Sequence, residues 1–471
     1  MSRPVTPGEG RTTEEGGAAA GGDPDFHAVD PESPEGRRTL RKAIAASALG
    51  NATEWFDYSV YAAVSSYITA SFFPGEYGSV LTWAGLAISF LLRPLGGFVW
   101  GPLGDRLGRR TILAMTILMM AGATTLIGVL PTHAAVGALA PILLILLRVV
   151  QGFSTGGEYG GAATFMAEYS PDNRRGFFGS FLEFGTLAGT VAGTGLVLIL
   201  QGLLSEGDMA SWGWRLPFFV ALPLGLVGWF LRTKLDETPV FEEELEKHET
   251  ETSAWKAFTD LVSGYWPQIL TMFGMVVALN IVYYTLLTYQ ETYLHEVVGV
   301  SKASATGVMF VGQLAMMALI PFAGATSDRI GRKPMWWTSL IGLFVLAIPM
   351  YLLMKQGFVW AIVGYTVLGL LFIPQLSTIS ATFPAMFPTT VRYAGFAISY
   401  NLATAIFGGT APLANEYVRS QYHWDLFAPA YMMVACVIGM VAVLFLRETA
   451  GVSLRGAGIP GRPTAISHQK D

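Results

Sequence analysis

Cysteine is nearly absent, charge is scarce and histidine is scattered. The single cysteine, Cys436, lies in the apolar run AYMMVACVIGMVAVLFL, which excludes a disulfide framework and a thiolate metal cluster and leaves a small buried hydrophobe. His27, His133, His248, His295, His423 and His468 fall in tails and loops without ligand spacing, so no resident metal, cofactor or intramembrane hydrolase is expected. No Gly-x-x-x-x-Gly-Lys-Ser/Thr phosphate cradle occurs, which argues against a nucleotide-driven pump. Charged residues form 13% of 471, against about 25% in a soluble domain. With a net charge of −5 the chain offers no basic surface for nucleic acid.

What is present is hydrocarbon, since 52% of residues are hydrophobic. A spanning helix needs about 20 apolar residues. Twelve segments qualify, at 44–72, 80–103, 111–131, 138–167, 177–202, 213–231, 265–293, 304–325, 335–354, 358–386, 396–418 and 427–447. Backbone amides inside a bilayer must be satisfied within their own segment, so the expected fold class is an all-α membrane protein rather than a barrel. Residues 1–43, rich in Gly, Pro and acidic side chains and without an apolar stretch, are expected to be a disordered tail and not a signal peptide. The remaining divisions are a six-helix bundle at 44–231, a charged loop at 232–264, a second bundle at 265–447 and a tail at 448–471. Arginine and lysine crowd the loops at 104–110, 168–176, 232–264, 327–333 and 387–395, whereas the opposite loops hold only Lys302, Lys355 and Arg419. By the positive-inside rule the crowded loops and both termini are cytoplasmic.

The halves repeat. Gly101-Pro-Leu-Gly-Asp105-Arg106-Leu-Gly108-Arg109-Arg110 ends the second segment, and Gly324-Ala-Thr-Ser-Asp328-Arg329-Ile-Gly331-Arg332-Lys333 ends the eighth, 223 residues later. A looser pair, Pro171 with Arg175 and Pro388 with Arg392, follows the fourth and tenth segments. Two copies of a six-helix unit suit a carrier that exposes a midplane site alternately. An Asp at such a helix end can pair with Arg on a neighbouring helix, latch one state and open in the other. Asp105, Arg106, Arg109, Arg175, Asp328, Arg329, Arg332 and Arg392 are therefore gating candidates, the competing explanation being topology alone.

These loops resemble the signature of the major facilitator superfamily, as does Ala167-Glu168-Tyr169-Ser170-Pro171 continuing to Arg175-Gly176. More narrowly, Gly50-Asn51-Ala52-Thr53-Glu54-Trp55-Phe56-Asp57-Tyr58, Arg93-Pro94-Leu95-Gly96-Gly97, Gln151-Gly152-Phe153-Ser154-Thr155-Gly156-Gly157-Glu158-Tyr159 and Trp212-Gly213-Trp214-Arg215-Leu216-Pro217-Phe218 resemble the metabolite:proton symporter family, over residues 40 to 450. Tyr283-Tyr284-Thr285-Leu286-Leu287-Thr288-Tyr289 and Phe383-Pro384-Ala385-Met386-Phe387-Pro388 are most similar to its proline/glycine-betaine symporters. The resemblance implies two pseudo-symmetric bundles in an inner membrane and proton-coupled uptake of a zwitterionic osmolyte, by a monomer whose partners are substrate, protons and lipid. The long heptad tail of the best-known osmolyte members is missing after Glu448, so a coiled-coil osmosensor does not carry over. Gln290-Glu291 stands where an apolar residue and a proline are expected.

An ionised side chain at mid-bilayer costs at least about 2.5–3.5 kcal/mol, so those that occur face a partner or an aqueous cavity. Glu54 and Asp57 sit three apart on the first segment beside Asn51, Trp55 and Tyr58. On the fourth, Arg148, Gln151, Thr155 and Glu158 form a polar stripe, and the seventh offers Asn280, Tyr283, Tyr284 and Glu291. A proton-coupled carrier needs a carboxyl that alternates between charged and neutral, for which Glu54, Asp57 and Glu158 are candidates; the other reading makes each a structural ion-pair member. A betaine-like substrate presents an onium group suited to aromatic faces and a carboxylate suited to Arg. Trp55, Tyr58, Tyr283 and Tyr284 are candidates for the first and Arg148 for the second, although membrane aromatics often serve packing alone. On a straight helix Arg148 and Glu158 stand about 15 Å apart at 1.5 Å per residue, too far to pair, so separate jobs are expected. A di- or tricarboxylate symporter would want two fixed cations, and Arg93 and Arg148 keep that alternative open. A non-transporting membrane sensor is the remote one.

Overall fold

The computed structural model describes residues 34–107, 109–156, 158–234, 254–388 and 391–454, and no strand occurs among them. Twelve transmembrane elements form two six-helix bundles. In the first half they are α1 (Pro34–Ala63 and Ser65–Phe72), α2 (Gly78–Leu107), α3 (Arg109–Val129), α4 (Leu139–Ser154 and Glu158–Tyr169), α5 (Arg175–Leu203) and α6 (Leu216–Lys234). The second half holds α7 (Ala254–Tyr284, a π-helical turn Thr285–Tyr289, then Gln290–Glu296), α8 (Lys302–Ile330), α9 (Arg332–Met354), α10 (Phe358–Leu376 and Ile379–Thr382), α11 (Arg392–Phe407 and Thr410–Tyr422) and α12 (Phe427–Phe445). Among the described residues, nine of these are long and apolar enough to cross a membrane by length and composition alone. The other three, α1, α3 and α11, are shorter or more polar.

Within the first half α1 packs on α5, α2 on α4 and α3 on α6; the second half repeats these pairings six elements on, as α7 on α11, α8 on α10 and α9 on α12. Between halves the seams are α5–α8 and α2–α11, which the same shift exchanges. Small residues permit the close approach that lipid, offering no hydrophobic drive between helices, makes decisive. Gly185 and Gly189 of α5 abut the backbone at Ala48 and Ala52 of α1, and a Cβ on Gly324 of α8 would lie 2.5 Å from the Gly176 carbonyl oxygen of α5.

Several expected boundaries move. Helix α1 begins at Pro34, ten residues inside the expected tail, because proline is preorganised for a first turn and the RRTLRKAIAAS run that follows forms helix well. The expected loop at 232–264 is helical at both described ends, through Lys234 and from Ala254; its centre and residues 1–33 lie outside the described residues. The single expected α4 is broken after Ser154, at the weak helix formers around Gly156, so Arg148 and Glu158 do not share one straight stripe. Helix α11 is broken at Gly408-Gly409, which lie against Ala87 and Phe90 of α2.

The expected free tail from 448 is, through Leu454, a strap across the signature-loop end. The Glu448 carboxylate accepts from the amides of Arg332 and Lys333 at 2.8 and 3.0 Å, and so caps the N-terminus of α9, where a negative charge is favoured. Gly331, at φ +101°, makes the turn into α9 and leaves room for that carboxylate. Further on, the Val452 carbonyl accepts from both terminal nitrogens of Arg175 at 3.1 Å, and the Leu454 carbonyl accepts from Arg392 at 2.8 Å.

Candidate functional site

Each carboxylate of α1 meets an arginine from another helix. Arg93 of α2 donates from one nitrogen to Glu54 at 2.9 Å and to the Tyr58 hydroxyl at 2.7 Å, and its guanidinium lies 4.2 Å from the Phe90 ring centre. Arg148 of α4 faces Asp57 at 3.4 Å and donates to the Gln151 side chain at 2.9 Å; its guanidinium lies 3.5 Å from the Tyr61 ring centre. Gln151 in turn donates to Asp57 at 3.2 Å and to Thr124 of α3 at 2.7 Å. All of these side chains are buried. Asp57 Oδ1 and Arg148 Nε have no hydrogen-bond partner among the described residues, and a small cavity bounded by Glu54, Asp57, Thr116, Thr124, Ser154 and Thr155 borders the pair.

Aromatic rings join the halves beside the Glu54–Arg93 pair. Trp55 of α1 stands 4.7 Å from Tyr283 and 6.1 Å from Tyr284 of α7, and 5.5 Å from Tyr58. Phe90 of α2 closes the cluster, 5.3 Å from Tyr58 and 5.0 Å from Tyr284. Inside it, the Trp55 indole N–H and the Tyr283 hydroxyl are buried with no hydrogen-bond partner among the described residues. The π turn of α7 follows Tyr284 directly, an irregularity that recurs at functional sites.

The remaining expected residues scatter. Asn51 donates to Leu182 and Thr186 of α5. Asn280 reaches Thr404 of α11 at 3.0 Å, and Glu291 accepts from Thr306 of α8 at 2.7 Å, at the end away from the signature loops. The side chains of Glu158, Asp105, Arg106 and Arg109 lie outside the described residues. Asp328 accepts from the amides of Gly176 and Phe177, which open α5 in the other half, at 2.8 and 2.9 Å, and from Arg332 at 2.6 Å. Arg392 pairs with Glu168 of α4 at 2.7 Å, and Arg175 with Asp172. Arg329 is exposed and makes no ion pair among the described residues. The gating candidates that are described, Arg329 apart, thus stand where the halves meet.

Two residues were underread from sequence. The sequence marks Arg93 as a motif residue and as one of two membrane-embedded cations, but not as the arginine that touches the aromatic cluster, through Tyr58 and Phe90. Glu183 of α5 is buried and accepts from the Tyr159 hydroxyl of α4; the Tyr159 ring lies flat on Tyr400 of α11, with centres 4.7 Å apart and planes at 15°. A lone carboxylate in an apolar helix was the available signal.

Residues 47–412 match the family model described as Major Facilitator Superfamily. The chain is 43% identical over 433 residues to a glycine betaine/proline/ectoine/pipecolic acid transporter of Dickeya dadantii, covering 89% of this chain and 85% of that one. It is 42% identical, with the same coverage, to a proline/betaine transporter of Escherichia coli, and 39% identical over 437 residues to an ectoine/proline transporter of Corynebacterium glutamicum, covering 89% of this chain and 86% of that one. Among solved structures, a proton:xylose symporter bound to 6-bromo-6-deoxy-D-glucose superposes with a TM-score of 0.68 at 17% identity, over 88% of this chain and 98% of that one. At that identity the likeness concerns the fold.

Proposed function

The chain belongs to the major facilitator superfamily, and from that premise we propose that it carries a small zwitterion of the glycine betaine or proline kind, together with protons, by alternating access. The observation that carries the reading is the aromatic cluster spanning both halves next to a charge pair. Trp55, Tyr58, Tyr283, Tyr284 and Phe90 offer ring faces to an onium group, each worth about 0.5–2 kcal/mol. Arg93, at their edge, offers a guanidinium to a carboxylate, and the unpartnered donors of Trp55 and Tyr283 offer hydrogen bonds. The names of the relatives point to the same substrates. Both arginines face a carboxylate, but Arg93 lies against Tyr58 and Phe90 of the cluster, whereas Arg148, expected from sequence in the carboxylate-binding role, lies against Tyr61 outside it, and takes a supporting place.

Charge balance separates this reading from a di- or tricarboxylate carrier. A multiply charged anion needs cations to spare, whereas Arg93 and Arg148 each face a carboxylate; a substrate of no net charge leaves the centre balanced. In this reading the signature loops face the cytoplasm of an inner membrane, the side that the positive-inside rule favours for their arginines. Opening at that end parts Asp328 from the α5 amides and Arg392 from Glu168, while the aromatic cluster parts between Trp55 and the two tyrosines. Binding therefore stays at the seam that both openings share.

Proteoliposomes with an alkaline interior test this against labelled glycine betaine, proline and 2-oxoglutarate. The first two are expected to accumulate with the pH gradient and to equilibrate once it collapses. Preferential accumulation of 2-oxoglutarate, or accumulation driven by sodium after the proton gradient is gone, refutes the assignment.

A further inference from the structure

Three kinds of buried carboxylate occupy the described membrane core. Glu54 and Asp57 face arginines. Glu416 is held by Arg419 through Nη2 at 2.7 Å and Nε at 2.9 Å. Glu183 and Glu291 have no ion-pair partner among the described residues, and of the two only Glu183 touches a side chain that meets the other half at the centre of the molecule. A paired carboxylate keeps its charge because the cation rewards it; an unpaired one in a low-dielectric setting gives up its charge by binding a proton. We infer that Glu183 is the residue that takes up and releases the transported proton, and that Tyr159 and Tyr400 convey its charge state to the contact between the halves. This rests on the transport reading given above and adds to it the identity of the coupling residue.

Its surroundings support the assignment. Helix α5 lies against α1, α4, α8 and the end of α10. Toward Glu183, α4 presents Tyr159, α11 Tyr400 and α7 Tyr283, and these tyrosines are the titratable groups within electrostatic reach of it among the described residues. From α1 comes Asn51, bonded to Leu182 and Thr186, and α10 brings Ser380 against Gly179. The charged groups Asp328 of α8 and Arg332 of α9 meet α5 at Gly176, about 10 Å along the helix from Glu183 at 1.5 Å per residue. Thus no described cation holds Glu183 charged. When it is charged, its oxygen accepts from Tyr159 and fixes that ring flat against Tyr400. On protonation an O–H bond forms at the carboxyl, which becomes a donor while its other oxygen still accepts; the charge-assisted bond from the Tyr159 hydroxyl weakens to a neutral one, and the stack across the seam is free to change. The proton comes from water on one side and returns to water on the other, with no further reactant.

Glu183→Gln fixes the neutral form while keeping the size. In proteoliposomes with the membrane potential clamped by potassium and valinomycin, the wild type is expected to accumulate glycine betaine about tenfold per unit of pH gradient for one coupled proton, since one unit equals 1.36 kcal/mol. The variant is expected to exchange internal for external betaine yet to accumulate none. Accumulation by the variant in step with the gradient overturns the assignment. Should Glu183→Gln neither exchange nor accumulate, Tyr159→Phe decides. Removing a hydrogen bond to the charged form favours the neutral one, so its exchange profile is expected to move to higher pH, and an unmoved profile overturns the proposal. Absence of betaine transport by the wild type would instead refute the transport reading itself.

Discussion

The two halves share a backbone plan and differ in the chemistry of their cores. The first half buries Glu54, Asp57, Arg93, Arg148 and Glu183. Carried 223 residues on, by the offset of the repeated loops, Glu54, Asp57 and Arg93 fall on Val277, Asn280 and Met316. The second half instead joins its helices by neutral bonds: Asn280 to Thr404 at 3.0 Å, Asn415 to Thr285 at 3.0 Å, Gln375 to Ser339 at 2.8 Å and Tyr351 to Gln290 at 2.6 Å. Its buried charges stand at its two ends, Glu291 and Glu416 away from the signature loops and Arg332 and Arg392 beside them. Duplication thus preserved packing and left each core open to its own use. In the reading proposed above, the charged half handles the proton, and the neutral one adds Tyr283 and Tyr284 to the shared aromatic cluster.

The strongest way to break this comparison is to remove one member of a charged pair. Arg148→Gln leaves Asp57 buried without its cation, which is expected to cost about 3–5 kcal/mol of stability and to abolish uptake. Combining it with Asp57→Asn is expected to restore most of the stability and none of the uptake, as read by thermal unfolding in detergent and by proteoliposome assay. If Arg148→Gln proved as stable as wild type, charge would not be what organises the first half.

A smaller effect is expected at the seam. Asp328→Asn weakens charge-assisted bonds to the α5 amides and to Arg332, each worth about 1.5–3 kcal/mol. Exchange between states is expected to change roughly tenfold or more while equilibrium binding of glycine betaine is kept, since every 1.4 kcal/mol is tenfold. Calorimetry set beside exchange rates separates the two, and equal losses in both would move Asp328 from latch to binding site.

The smallest change sharpens the contrast from the neutral side. Asn280→Ala removes two uncharged hydrogen bonds, to Thr404 of α11 and to the Val276 carbonyl of its own helix, each worth about 1 kcal/mol. Uptake is expected to slow a few-fold with the accumulation ratio at a given pH gradient unchanged. A fallen ratio would show that coupling also runs through the second half.

Much of this was legible beforehand, for identifiable reasons. Length and apolarity mark the spans because the bilayer imposes both, and the repeated Asp-Arg loops reveal the duplication. Three- and four-residue spacing found Glu54, Asp57, Trp55 and Tyr58 on one helix. Partners on different helices left no such trace. Glu183 meets Tyr159 across 24 residues and Arg93 meets Glu54 across 39, distances at which no periodicity helps. The break in α4 and the attachment of residues 448–454 are tertiary outcomes as well. Glycine pairs only permitted the first, and the second depends on amides that α9 leaves open.

The strap bears on how the molecule is made. Synthesis runs from the N-terminus, at about 5–20 residues per second, so α5, α9 and α11 reach the membrane before Glu448, Val452 and Leu454 leave the ribosome. Arg175 and Arg392 must wait for the carbonyls that complete their hydrogen bonds. A nascent carrier can therefore assemble both bundles before its basic rim is fastened, and the last stretch of described chain to be translated is the one that fastens it.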